Sequence, residues 1–117
     1  MAPKLTYAIK FVADMDKAVK FYRDTLGLTL KFQSPEWSEF STGETTLALH
    51  SASKENPPGK VELGFGVPDL HAFHKELSAR VVKFTMPPTK QDFSGELAQF
   101  LDSENSPSSV SGPMPKM

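Results

Sequence analysis

The sequence predicts an α+β protein built from two copies of one βαβββ unit, and three observations carry that prediction. The stretch Phe11-Val-Ala-Asp-Met-Asp-Lys-Ala-Val-Lys-Phe-Tyr22 returns, weakened, as Gly66-Val-Pro-Asp-Leu-His-Ala-Phe-His-Lys-Glu-Leu77. In each copy an extended apolar run closes at Val12 or Val67, an aspartate follows at Asp14 or Asp69, and helical spacing of apolar residues begins at once. After each helix come β-prone runs broken by turn residues. Self-similarity on this scale means that each copy cannot bury its apolar face alone. A pair of related sheets leaves a cleft, which is where function usually sits.

Leu5 to Val12 is apolar and aromatic enough for a strand, and Asp14 closes it. Met15, Ala18, Val19, Tyr22 and Leu26 then fall on one helical stripe, with Asp14 as N-cap and Gly27 past the end. Ser34-Pro35-Glu36 and Thr42-Gly43-Glu44 are turn chemistry, so strands are expected at about 28–33, 37–42 and 45–51. Lys54-Glu-Asn-Pro-Pro-Gly59 reads as a linker. Beyond it Val61, Leu63, Phe65 and Val67 alternate with Lys60, Glu62, Gly64 and Gly66, a strand with one buried face. Leu70, Phe73, Leu77 and Val81 form the second helical stripe under Asp69. Strands at about 81–86 and 96–101 follow, with Pro87-Pro88 expected to form a mobile flap between them. The last strand, about 108–111, falls in a Ser-, Pro- and Gly-rich segment that is expected to fray.

With 117 residues the chain is long enough for one domain with its own core. Its modules are expected at about 4–53 and 60–112, with a linker at 54–59 and a tail at 113–117. Thirteen basic and fourteen acidic residues give a net charge of -1. No Lys/Arg block stands out, which argues against nucleic acid or an anionic membrane as partner. Without cysteine there is no disulfide framework, thiolate nucleophile or sulfur-ligated metal. No apolar run approaches a membrane span, and Met1-Ala-Pro-Lys4 lacks a signal-peptide hydrophobic region, so a cytoplasmic protein is expected.

The paired units, together with Phe21-Tyr22-Arg23-Asp24-Thr25-Leu26-Gly27-Leu28 and Thr45-Thr-Leu-Ala-Leu49, make residues 4–111 resemble the glyoxalase, bleomycin-resistance and extradiol-dioxygenase superfamily, also called vicinal oxygen chelate proteins. The resemblance implies two modules whose mixed sheet curls into a cup with helices on its outer face, frequent dimers, and in the enzymes a divalent metal on the cup floor. It does not choose a reaction, because one scaffold carries isomerases, epimerases, thiol transferases, dioxygenases and antibiotic binders. It places the metal-ligand positions at Tyr7, Ala48, Glu62 and Ser109, of which only Glu62 is an ordinary ligand. His50, two residues beyond Ala48, would approach through a bulge or a slipped register.

Several residues have competing readings. Glu62 is a ligand, a general base, a carboxylate that binds a substrate group, or a solvated strand residue. Tyr7 and Ile9 line an apolar surface suited to a planar ligand or to ordinary packing. Trp37 suits ligand stacking, a dimer contact or packing. His71 and His74 share helical spacing but belong to a helix that the resemblance puts outside the cup, and are expected to face solvent. The expectation is a cytoplasmic homodimer that binds a partly apolar or aromatic molecule at Tyr7, Ile9, Trp37, Ala48, His50, Glu62 and Ser109, without a cofactor. The alternative is a metal-dependent lyase, isomerase or dioxygenase using Glu62 and His50.

Overall fold

A computed structural model describes residues 3–91 and 95–113. The chain divides into two compact units, one spanning Thr6–Val61 and the other Glu62 onward together with the residues up to Leu5. Each is a βαβββ unit.

The first unit runs β1 (Lys4–Val12), α1 (Met15–Lys20), β2 (Thr29–Gln33), β3 (Trp37–Ser41) and β4 (Thr46–Ser51). Its strands lie in the order β2-β3-β4-β1, with β4 and β1 parallel and the other pairs antiparallel. Asp14 caps α1 as expected, its carboxylate accepting from the Lys17 amide at 3.1 Å. Met15, Val19, Phe40 and Leu49 are the buried centre between α1 and the sheet, with Tyr22, Leu28 and Leu30 packed around them.

The helical stripe does not hold to its end. After Lys20 the chain widens into a π-helical turn, Phe21–Thr25, in which the Leu26 amide reaches back to the Phe21 carbonyl at 2.9 Å. The wider turn rotates Leu26 out of the stripe, and it stays 57% exposed. Gly27 then takes a positive φ of 84°, as the sequence predicts. Lys54–Gly59 is not a free linker, because Gly59 donates to the Phe11 carbonyl at 2.8 Å and Phe11 donates to Lys60 at 2.9 Å.

The second unit runs β5 (Val61–Gly66), α2 (Leu70–Ala79), β6 (Phe84–Lys90), β7 (Glu96–Leu101) and β8 (Pro107–Gly112), in the order β5-β8-β7-β6. Asp69 caps α2 through the Ala72 amide at 3.0 Å. Val67, Leu70, Ala98 and Val110 form the core, with Phe65, Phe73, Phe84 and Phe100 packed against it.

Three expectations for this unit are corrected. Pro87-Pro88 belongs to β6 and forms no flap, since β6 is the outer strand of the order and its pairing with β7 is interrupted by register shifts, where a missing N–H is tolerated. The Ser-rich segment is an ordered inner strand, β8, pairing with β5 on one side and β7 on the other. Small side chains are tolerated there because both backbone edges are hydrogen-bonded. The turn into it is made by Asp102, whose carboxylate accepts from the Glu104 and Ser106 amides at 2.8 and 3.0 Å, with Asn105 at a φ of 60°. Val81 does not continue the stripe of α2. It takes a φ of 67° and is 91% exposed, while the Val81 and Val82 amides return to the Ser78 and Leu77 carbonyls. That is a Schellman end with a β-branched residue where glycine is usual. The expected tail lies outside the described residues except for Pro113.

Candidate functional site

In the first unit the sheet carries apolar side chains on both faces. One face packs on α1; the other collects Ile9, Phe11 and Ala48 as a buried floor, with Tyr7, Trp37 and Ala52 packed against it. Strand register explains the gathering. Ile9 lies opposite Ala48, which lies opposite Glu39, which lies opposite Phe32; Phe11 lies opposite His50, which lies opposite Trp37. Directly paired residues point to the same side of a sheet, so these two rows form one surface.

The rings on that surface touch edge to face. Trp37 meets Tyr7 with centroids 6.0 Å apart and His50 at 5.9 Å, and His50 meets Phe11 at 5.1 Å. His50 is held by a 2.8 Å contact between Nδ1 and the Ser51 carbonyl. With Nδ1 donating there, Nε2 is the ring nitrogen left for other partners. The Trp37 indole N–H donates to Glu39 Oε2 at 2.8 Å, and Lys31 Nζ lies 3.8 Å from Oε1 of the same carboxylate. Burial, and then the Glu39 charge, raise the Tyr7 phenol above its ordinary pKa, so the ring presents a neutral hydroxyl.

Tyr7, Ile9, Trp37, Ala48 and His50 are thus brought together on one face. Glu39 was not among the sequence candidates, although the alternation of Trp37, Glu39 and Ser41 against the buried Ser38 and Phe40 signals that it shares the face of Trp37. His50 does not slip toward position 48, because pairing of β1 with β4 runs unbroken from Tyr7 opposite Thr46 to Val12 opposite Ser51.

In the second unit Glu62 is 8% exposed and shares the non-helix face of β5 with Gly64 and Gly66, so the solvated-strand reading fails. Ser109 lies in the same sheet face, opposite Gly64 and Gln99. His71 is exposed and meets Glu96 at 2.8 Å. His74 is only half-exposed, since it packs edge-on to Phe84 with centroids 4.5 Å apart.

Among the described residues no group of three or more His, Asp or Glu side chains gathers closely enough to hold a metal ion. Of the four positions at which the resemblance puts metal ligands, Ala48 has no side-chain donor, Tyr7 carries a phenol with a raised pKa and Ser109 a hydroxyl, so Glu62 is the one ordinary ligand among them. Two hollows lie elsewhere. One, of about 370 Å³, lies beneath α2, and a more polar one of about 510 Å³ is lined by Asp14, Asp16 and Gln33 at the start of α1.

The chain belongs to the Glyoxalase/Bleomycin resistance protein/Dioxygenase superfamily, whose family model matches residues 4–105. It is 37% identical over 67 residues to an uncharacterized protein of Mycolicibacterium smegmatis, a match covering 56% of this chain and 57% of that relative. Among solved structures it is similar to methylmalonyl-CoA epimerase from Mycobacterium tuberculosis, with a TM-score of 0.78 at 18% identity over 96% of this chain and 89% of that one. A superfamily member from Vibrio splendidus matches with a TM-score of 0.71 at 14% identity, over 94% and 98% of the two chains. At such identities the likeness establishes the fold, not the reaction.

Proposed function

We propose that this protein binds a small, partly apolar or aromatic molecule by stacking it on Tyr7, Trp37 and His50. The supporting observation is the edge-to-face contact of those rings above the buried floor of Ile9, Phe11 and Ala48. Glu39 adds a carboxylate at the rim that can accept a hydrogen bond from a donor-bearing ligand. Glu62 and Ser109 are proposed to offer polar contacts on the non-helix face of their own unit. The reading is binding or sequestration by a cytoplasmic homodimer without a metal. Sedimentation of the purified protein as a monomer would remove the dimer. Elemental analysis finding one metal per chain, lost in Glu62→Ala, would favour the metal-dependent enzyme instead.

Trp37 is the chain's single tryptophan, so its fluorescence reports on the site directly. In a screen of planar aromatic compounds, binders are expected to quench it, and Tyr7→Ala should weaken their binding by about 1–3 kcal/mol through lost apolar contact. Hits that bind Tyr7→Ala as tightly as wild type would contradict the assignment.

A further inference from the structure

The hollow beneath α2 has a simple cause. Leu63, Ser108 and Phe100 form one row across β5, β8 and β7 on the side that α2 covers. The middle of that row, where a large apolar side chain would fill the space, is the buried Ser108. At its N-terminal end α2 sits close on the sheet: Leu70 is 2% exposed, and a Cβ at Gly112 would come within 3.1 Å of the Leu70 Cβ. At the other end Phe73 and Leu77 stand over the serine and leave a space of about 370 Å³, walled also by Phe65. Phe100 lies with its ring centroid 6.4 Å from both Phe65 and Phe73.

The mouth of the hollow carries Glu76, Arg80 and Asp102. Glu76 and Arg80 are only loosely paired, at 3.8 Å, and both are well exposed. The lining holds two carboxylates and one guanidinium, so it is net negative, and Phe65, Phe73 and Phe100 supply its aromatic wall. This combination suits an apolar body with a positive end and disfavours a carboxylate.

We infer that the space between α2 and its sheet is a second ligand site, for a small primary amine with an aromatic or branched apolar body, the ammonium group lying at Glu76. The site lies wholly in the second unit and does not depend on the aromatic face of the first.

The test is an amide chemical-shift titration of the full chain with 2-phenylethylamine, 2-phenylethanol and 3-phenylpropionate at one pH and ionic strength. The amine is expected to move the resonances of Leu63, Phe65, Phe73, Leu77 and Phe100, and to bind about three- to fivefold more tightly than the alcohol, with the carboxylate weakest. Glu76→Gln should erase the preference of amine over alcohol. Ser108→Leu should fill the space and abolish all three interactions; Leu63→Trp, at the more exposed end of the row, provides the same block should the serine variant fail to fold. The proposal is overturned by no perturbation of these residues at millimolar amine, by a carboxylate that binds as well as the amine, or by an unchanged preference in Glu76→Gln. Shifts centred on Trp37 and Tyr7 would also overturn it while supporting the aromatic face.

Discussion

Burial and the Glu39 carboxylate both raise the Tyr7 phenol above its reference value of 10.0. The sign of the consequence follows from linkage. Below that value the phenol is neutral in folded and unfolded chains alike, and its contribution to stability is fully present; as pH rises from there through the higher folded value, the folded state resists losing the proton and stability falls. Wild-type protein should therefore lose stability above about pH 10 more steeply than Tyr7→Phe in denaturant melts across pH. Parallel pH profiles would mean that the phenol is not held as described. A second residue-scale outcome concerns Val81, whose positive φ strains a β-branched side chain that gains nothing from burial. Val81→Gly should stabilise the protein by roughly 0.5–1 kcal/mol, the relief being partly offset by the greater freedom of glycine in the unfolded chain, and urea midpoints would show it. The sequence puts Val81 on the stripe of α2 and does not reveal that the helix ends there. The Leu77 and Ser78 carbonyls gain the hydrogen bonds that hold that ending.

At the scale of elements, the parts legible in advance were those with local causes. The capping aspartates, the amphipathic stripes and the turn residues act within a few positions of themselves, and they place both helices and most strand ends. The misjudged parts depend on distant partners. Ser108, Ser109 and Ser111 are poor strand formers by propensity, yet they sit in a strand because β5 and β7 hydrogen-bond both its edges. Pro87 and Pro88 read as breakers, and only the outer place of β6 accommodates them. Glu39 escaped notice for a related reason: its nearness to Tyr7 and Lys31 comes from strand pairing, which no local pattern announces. The close approach of α2 to β8 supplies a test at this scale. A methyl group at Gly112 would lie 2.8 Å from the Val67 carbonyl oxygen and 3.3 Å from the Leu70 backbone nitrogen, both backbone atoms that cannot swing aside. Gly112→Ala is therefore expected to cost about 1–3 kcal/mol in chemical denaturation, and a neutral result would mean that the helix can lift freely from the sheet.

Across the whole chain, the internal repeat and the motif around Phe21–Leu28 were enough to point to the superfamily, because two strand-helix copies of this length, each with an apolar face to bury, fit a paired-module fold. The particular activity was not legible, since the resemblance puts its metal-ligand positions at Tyr7, Ala48 and Ser109, none an ordinary ligand, beside Glu62. Two units of like topology carry different surfaces: an aromatic face with Glu39 in the first, and a phenylalanine-lined hollow under α2 in the second. No helix among the described residues is long and apolar enough to cross a membrane. The central claim is that a small aromatic molecule stacks on Tyr7, Trp37 and His50. Its most direct test is the indole N–H resonance of Trp37, a single peak because the chain has one tryptophan, followed during titration with a compound that quenches its fluorescence. The account predicts that this peak moves together with the Tyr7 and His50 amides and that the response is lost in Tyr7→Ala. A quenching compound that leaves the indole and both amides in place while shifting resonances of α1 or α2 would contradict it.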